Sequence, residues 1–192
     1  MCFLRRFILA FAGLLACCCA AAGGVTKAIA AGQASTHAQQ KRVRLAAITW
    51  LGGQIRGYQH ATWRWERVMG TRLTPTAGRV LTEMSVPDVK KAVDLWKHRA
   101  HVVYRRAEHP PHLRAFLCIH RYEGSWTDTG GPYYGGLQMN VGFQDTYARW
   151  LLREKGTADH WTPLEQIWTA EKALRSRGFW PWPNTARDCG LL

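Results

Sequence analysis

The sequence predicts a mainly α (α+β) fold in which several helices accompany one short β-hairpin. Three observations predict it. Apolar residues recur at helical spacing in at least four segments, residues typical of helix caps flank those segments, and one stretch, 124–138, breaks the pattern with five glycines, one proline and three aromatic residues. That stretch indicates a compact loop or small hairpin between helices.

The first 22 residues have the pattern of a secretory signal peptide. Two arginines precede an apolar run over residues 7–16, which is too short to span a bilayer and is followed by small residues. Cleavage is expected near Ala22 or near Ala30. The residues before Cys17 also resemble a lipobox, so lipidation at Cys17 is an alternative to simple export. A buried N-terminal helix is the third interpretation, but adjacent cysteines followed by Ala and Gly suit a core helix poorly.

Cysteine usage agrees with export. Four of the six cysteines lie in the leader, so the mature chain keeps Cys118 and Cys189. A pair of cysteines in an oxidising compartment predicts a disulfide, and two unrelated thiols are the alternative. The closed loop of about 70 residues would contribute about 4 kcal/mol in the chain-entropy model.

The segment between the leader and residue 110 shows no catalytic pattern. Residues 23–40 are rich in Ala, Gly, Ser and Gln and are expected to form a flexible tether. Residues 41–110 are expected to be helical. A cationic amphipathic helix over 41–56 continues only if Gly52 and Gly53 do not break it, and a second helix begins at the N-cap Ser85 and ends before two prolines. Helical support or wall contact is the expected role.

Four histidines in two pairs invite a metal interpretation. They are His98 with His101, and His109 with His112. No cysteine or carboxylate completes a ligand set, and two prolines interrupt the second pair, so no metal and no other cofactor is predicted.

Helices of 112–192 surround the irregular stretch. An apolar stripe from Leu113 to Ile119 predicts a helix that ends at Glu123, and another helix follows the loop and stops at Gly156. Thr162, Pro163 and Glu165 predict a capping box that starts the last helix.

Glu123 is the candidate catalytic acid. A carboxyl group at the C-terminal end of an apolar helix lies in an environment that disfavours its charged form, through burial and the negative end of the helix dipole. A protonated carboxylic acid is what a glycosidase needs to protonate the leaving sugar oxygen. The alternative is an ordinary helix-end glutamate paired with Arg121 or another arginine.

The following loop carries candidate substrate-binding residues. Aromatic rings can stack on sugars, and side-chain amides can bind their hydroxyl groups. Paired glycines would let the backbone approach a polysaccharide closely. Filling the core beneath a Gly-rich turn is the structural alternative, and both roles are expected. The candidates are Trp126, Asp128, Tyr133, Tyr134, Gln138 and Asn140.

These residues resemble a known family. Glu123-Gly-Ser-Trp, then Asp128-Thr-Gly, then Tyr133-Tyr-Gly-Gly-Leu-Gln, with Trp-Pro pairs and a Cys-Gly near the end of the chain, are similar to the catalytic domain of resuscitation-promoting factors and related transglycosylase-like proteins. The resemblance covers about 80 residues. It implies a small lysozyme-like domain over 112–192 that cleaves the MurNAc-GlcNAc glycan of peptidoglycan, with Glu123 as the catalytic residue.

The chain departs from the family pattern at two places. The family's first disulfide cysteine usually directly precedes the glutamate, whereas Cys118 lies four residues further back, about one helical turn. Where family members often carry a small hydroxyl residue followed by Trp, this chain has Phe143 and Gln144, and Thr146 is the candidate replacement for the hydroxyl.

The resemblance favours a single-acid mechanism. A hydrolase normally needs a second carboxylate within about 5 to 10 Å. Asp128 and Asp145 are the nearest in sequence, and Asp128 matches a position that is often Asn in the family. Glu123 would therefore act as acid and then as base while the 6-hydroxyl of the muramic acid attacks, and hydrolysis by water is the alternative.

The net charge of +13 favours anionic partners. Together with the leader, it predicts a secreted envelope protein whose partners are peptidoglycan glycan strands and anionic cell-wall polymers. Membrane contact is expected only through the leader or a lipid on Cys17. A non-catalytic wall-binding module is the rival function. Nucleic-acid binding would explain the charge but neither the leader nor the loop.

Overall fold

The computed structural model describes residues 22–76, 78 and 80–192, in two compact units that divide between Ala46 and Ala47. The signal-peptide prediction for 1–22, and with it Cys17, lies outside these residues except for Ala22. The fold is mainly helical with one short two-stranded antiparallel hairpin, as the sequence predicts.

The first unit contains helix, where a flexible tether was predicted. Residues 23–40 belong to α1 (Ala22–Met69), so that prediction is wrong for the backbone. The side chains described from 35 to 46 are all exposed, as their composition suggests. Alanine, glutamine and lysine favour helix without any burial, and this intrinsic preference explains why the segment is helical although its side chains are exposed.

The second unit begins with the remainder of α1, which runs unbroken through Gly52 and Gly53. A 3-10 turn (Leu81–Glu83) and α2 (Val86–Ala107) follow. Glycine at position 52 allows Leu81 to pack closely against α1, because a Cβ there would lie 3.0 Å from Leu81 Cδ1. Ser85 caps α2 by accepting a hydrogen bond from the Asp88 amide, as predicted.

The remaining elements of this unit run from residue 113 to residue 188. They are α3 (Leu113–Glu123), β1 (Tyr133–Tyr134), β2 (Met139–Asn140), α4 (Val141–Lys155), a 3-10 turn (Ala158–His160), α5 (Pro163–Arg177) and α6 (Pro183–Asp188). Tyr133 pairs with Asn140 and Tyr134 with Met139. The predicted capping box of α5 is present, and α6 follows the Trp-Pro pairs.

No packing boundary separates 47–110 from 112–192. The main core joins Phe116, Ile119 and Trp168 to Met69 and Ala107, all of them buried. Residues 47–192 therefore form one compact unit, and the expected division near residue 111 marks only the end of α2. Proline ends a helix because it lacks an N–H donor, but it does not end the burial of the residues beside it.

The predicted disulfide joins Cys118 and Cys189, with an S–S distance of 2.04 Å and a Cα–Cα distance of 6.1 Å. It connects the middle of α3 to the residue that follows α6. This bond matters for the site because it holds α6 beside the helix that ends at Glu123.

Candidate active site

Glu123 is the last residue of α3 and is half-buried. Thr185, in α6, donates its hydroxyl to Glu123 Oε1 at 2.7 Å. Because the disulfide holds α6 beside α3, the hydroxyl has a fixed position relative to the carboxyl group. Oε1 thus accepts a hydrogen bond, and Oε2 has no hydrogen-bond partner among the described residues.

The alternative interpretation of Glu123 was an ion pair with an arginine. Among the described residues, no lysine, arginine or histidine lies within salt-bridge distance of Glu123. Arg121 is exposed on the last turn of α3. The structure therefore contradicts the ion-pair interpretation, and the contact it shows for the carboxyl group is the hydrogen bond from Thr185.

A groove begins at Glu123. Its first part has a volume of about 230 Å³ and is lined by Glu123, Tyr133, Gln138 and the segment 181–184. Its second part, about 280 Å³, shares Tyr133, Gln138, Pro181 and Trp182 with the first. The two parts are therefore adjacent, and Tyr133, which is 47% exposed, lies where they meet. An exposed tyrosine ring offers an apolar face on which a sugar can stack.

Gln138 is held in the groove by the loop itself. Its backbone φ is +46°, and its Nε2 donates to Asp128 Oδ2 at 2.8 Å and to the Gly135 carbonyl at 3.1 Å. Both amide hydrogens are used, so Oε1 is the atom left to accept a hydrogen bond from a ligand. Gln138 is thus a preorganised acceptor.

Asp128 supports the loop and does not line the groove. Its Oδ1 accepts from the Gly130 amide at 3.0 Å, and its Oδ2 accepts from Gln138. Its carbonyl also accepts from the Gly135 amide at 2.8 Å. Because both carboxylate oxygens accept hydrogen bonds within the loop, Asp128 positions Gln138, and the direct substrate contact expected of it stays a prediction.

Trp126 and Tyr134 pack against the main core and line neither part of the groove. The Trp126 ring stacks on His120 with centroids 3.8 Å apart, and its carbonyl accepts from Gln166 Nε2 at 2.8 Å. Both side chains therefore pack as the structural alternative predicted, against the core beneath the Gly-rich turn. Of the three loop aromatics, only Tyr133 lies in the groove.

Asn140 lies in the second part of the groove and also caps α4, where its Oδ1 accepts from the Phe143 amide at 2.8 Å. Its side-chain amide hydrogens remain available as donors. Thr146, the candidate replacement for the family's hydroxyl, lines the same part. Its hydroxyl donates to the Gly142 carbonyl at 2.8 Å, so its oxygen can still accept.

Phe143 and Gln144 stand where the sequence differs from the family that it resembles, and their positions in the structure differ. Phe143 lines the groove, and Gln144 is fully buried with its Nε2 donating to the Met139 carbonyl at 2.6 Å. Gln144 therefore holds β2 against α4 and does not line the groove.

Three residues at the site had no site assignment from the sequence. Trp182 is 4% exposed, donates its indole N–H to the Leu137 carbonyl at 2.7 Å and lines both parts of the groove. Arg177 lines the second part, and Thr185 contacts Glu123 without lining either part. The Trp-Pro pairs signalled the segment of Trp182, but no local pattern marks a hydroxyl that meets a carboxyl group 62 residues away.

Neither aspartate offers a second catalytic carboxylate. The hydrogen bond from Arg149 holds the pKa of Asp145 below its usual value, although desolvation acts to raise it. The Arg149 guanidinium contacts both Asp145 oxygens, at 2.8 and 2.9 Å. Neither Asp128 nor Asp145 lines the groove.

The part of the chain that the structure describes contains no group of three or more His, Cys, Asp or Glu residues that could hold a metal ion. His112 instead lies 3.0 Å from Glu171 Oε2, and its backbone amide also donates to Glu171. Across the same residues, no helix combines the length and apolar character that crossing a membrane requires.

No protein-family model, curated protein or solved structure matches the chain. The site must therefore be interpreted from its own geometry. A larger cavity of about 580 Å³ lies between α1, the first 3-10 turn and α2, and shares no lining residue with the groove. It contains Ile55, Leu81 and Trp96 together with Arg56, and it has no connection to Glu123.

Proposed function

We propose that the protein is an exported enzyme that cleaves the glycosidic bond between MurNAc and GlcNAc in peptidoglycan, with Glu123 as general acid and base. The observation that carries the proposal is one carboxyl group without a cationic partner, at the start of a groove with an exposed tyrosine and a preorganised glutamine. The motif resemblance around these residues adds support. The disulfide between Cys118 and Cys189 agrees with an oxidising compartment.

The geometry suits a carboxyl group that donates a proton. Glu123 Oε1 accepts from the Thr185 hydroxyl, so a proton on the acid resides on Oε2. Oε2 protonates the bridging oxygen as the bond from the muramic C1 to that oxygen breaks, and GlcNAc leaves with a free hydroxyl.

The muramic residue then needs a nucleophile at C1. Its own 6-hydroxyl oxygen forms the new bond to C1, and Glu123 Oε2, now a carboxylate oxygen, takes the hydroxyl proton. The acid is regenerated and the product has a 1,6-anhydro end. The groove lining includes one carboxylate, which favours this intramolecular route over the two-carboxylate hydrolysis. Attack by water would instead give a reducing end.

A non-catalytic wall-binding module is the second candidate function. The same observation favours it, because a groove with an aromatic ring, amide groups and a single carboxylate is sufficient to bind a glycan without cleaving it. Product analysis separates the two functions.

The test compares the purified protein with Glu123→Gln, which keeps the shape of the side chain and removes the acid proton. Glu154→Gln is the matched control, since Glu154 is exposed on α4 and lines no part of the groove. Each protein is incubated with peptidoglycan, and the released sugars are identified by mass spectrometry. Circular dichroism and thermal melting confirm that each variant is folded.

Anhydro-muropeptides from the wild type and Glu154→Gln, with a loss of at least about a hundredfold in Glu123→Gln, are the expected result. Reducing ends in the same pattern would keep the enzyme but replace the intramolecular route. Equal product from Glu123→Gln and wild type would refute the assignment of Glu123. Binding without product from any protein would establish the wall-binding module instead.

A further inference from the structure

Arg177 is the last residue of α5 and lines the second part of the groove. It lies there with Asn140, Thr146 and Tyr147, beyond the residues that the two parts share. The Tyr147 hydroxyl lies 3.3 Å from Ser176 Oγ, which holds α4 beside the end of α5. The backbone that carries Arg177 therefore has a fixed position relative to the groove.

The guanidinium group of Arg177 has no carboxylate within salt-bridge distance among the described residues. Several other arginines are paired, as Arg64 is with Glu165, Arg105 with Glu108 and Arg149 with Asp145. Arg177 is thus a cation without an acidic partner in a groove whose other lining groups in that part are neutral.

A guanidinium group binds a carboxylate with two parallel hydrogen bonds, which makes it selective for planar anions over neutral hydroxyl groups. Glu123 lines the first part of the groove and Arg177 the adjacent second part, and Tyr133 lines both. A glycan stacked on Tyr133 with its scissile bond at Glu123 would therefore extend toward Arg177 along one direction of the chain.

We propose that Arg177 binds a carboxylate carried by a sugar next to the cleaved bond, so that the substrate class is an acidic glycan and not a neutral one such as chitin. This inference rests on the proposed function, since it uses the same groove. In peptidoglycan, the carboxylate belongs either to the lactyl group of a muramic residue or to a stem peptide.

A cation at a helix C-terminus also interacts favourably with the helix dipole, and this alone would explain an arginine at position 177. Arg175 provides the control for that effect. It is exposed on the last turn of the same helix and lines no part of the groove, and its guanidinium group donates to the Met69 carbonyl at 3.5 Å.

The experiment measures binding and cleavage by the wild type, Arg177→Gln, Arg177→Lys and Arg175→Gln. Three polymers are used: intact peptidoglycan, glycan strands stripped of stem peptides by an amidase, and strands whose carboxyl groups have been reduced to alcohols. The amidase hydrolyses the amide between the lactyl group and the stem peptide, so stripped strands carry free lactyl carboxylates in place of stem-peptide carboxylates and distinguish the two sources. Kd comes from binding curves and KM from product release, at one fixed ionic strength.

The wild type and Arg175→Gln should bind the carboxylate-bearing strands about 3- to 10-fold more tightly than the reduced strands. Arg177→Gln should lose this preference, and Arg177→Lys should keep part of it. A preference that survives in Arg177→Gln, or is lost equally in Arg175→Gln, would overturn the proposal, as would no binding to any polymer.

Failure of the proposed function has a different signature. If no protein releases product but Arg177→Gln alone loses the preference in Kd, the catalytic proposal fails and the role of Arg177 stands. If the wild type releases product and Arg177→Gln retains the wild-type preference, the opposite holds.

Discussion

The contact between Gly136 and the His120–Trp126 stack allows a sharp test of how the site loop is packed. A Cβ added at Gly136 would lie 2.5 Å from His120 Nδ1 and 2.7 Å from Trp126 Cε3. Both are ring atoms, so neither can move away as the end of a flexible side chain would. The Trp126 carbonyl is also held by Gln166, and His120 Nδ1 lies 3.2 Å from the Gly136 carbonyl.

Gly136→Ala should therefore destabilise the protein by overpacking. Added methyl groups in a close-packed site cost about 1 to 3 kcal/mol, and rigid neighbours on two sides favour a value of about 2 kcal/mol. For a unit of this size that corresponds to a fall in Tm of about 4 to 8 °C. The free energy of unfolding would be measured by urea denaturation and Tm by calorimetry.

Gly57→Ala is the matched control because it makes the same chemical change without a neighbour. Gly57 is exposed within α1, and nothing lies within 4 Å of its added Cβ. Alanine should stabilise the helix there by up to about 1 kcal/mol. A Gly136→Ala protein as stable as the wild type would refute the packing argument, whatever the control shows.

Two further predictions concern Thr185 and Glu165. Thr185→Val removes the donor to Glu123 and should lower kcat on peptidoglycan about 2- to 12-fold, because a hydrogen bond contributes about 0.5 to 1.5 kcal/mol. Thr185→Ser should recover most of the rate, and an unchanged rate in Thr185→Val would contradict the positioning role. Burial acts to raise the pKa of Glu165, but hydrogen bonds from Lys155 and Arg64 outweigh it and hold the pKa below the usual 4.5. The stabilisation is therefore complete above about pH 4.5 and is lost as pH falls through the folded pKa. Glu165→Gln should lower the free energy of unfolding by about 3 kcal/mol at neutral pH. This value is at the lower end of the range for breaking a buried ion pair, because the Arg64 side chain is 41% exposed. The difference from wild type, measured by urea denaturation, should shrink in acid, and a pH-independent difference would refute the role of the Glu165 charge.

Local signals in the sequence predicted local structure well. Ser85, Thr162 and Gly156 mark the starts and ends of helices because caps and left-handed glycines act within one turn of the backbone. The loop before Gln138 was also predicted, since repeated glycine excludes regular helix. These features depend on neighbours in the chain and need no tertiary information.

Long-range partners could not be predicted in the same way. Nothing near Thr185 indicates that its hydroxyl meets Glu123, and nothing near Trp126 indicates that its ring is covered by His120. The sequence identified the chemical type of each residue in the site loop. Tertiary packing then decided that Tyr133 lines the groove and that Trp126 and Asp128 support it.

The segment between residues 47 and 110 is explained by the same packing. Val68, Met69 and Ala107 are at most 1% exposed in the core that also contains Phe116, and the Trp168 indole donates to the Ala107 carbonyl at 2.8 Å. Yet no residue of this segment lines the groove that begins at Glu123. Its contribution to the site is therefore burial of apolar surface behind the helices that carry it, so the chemistry can reside wholly in residues 123–185 while their stability depends on the helices that precede them.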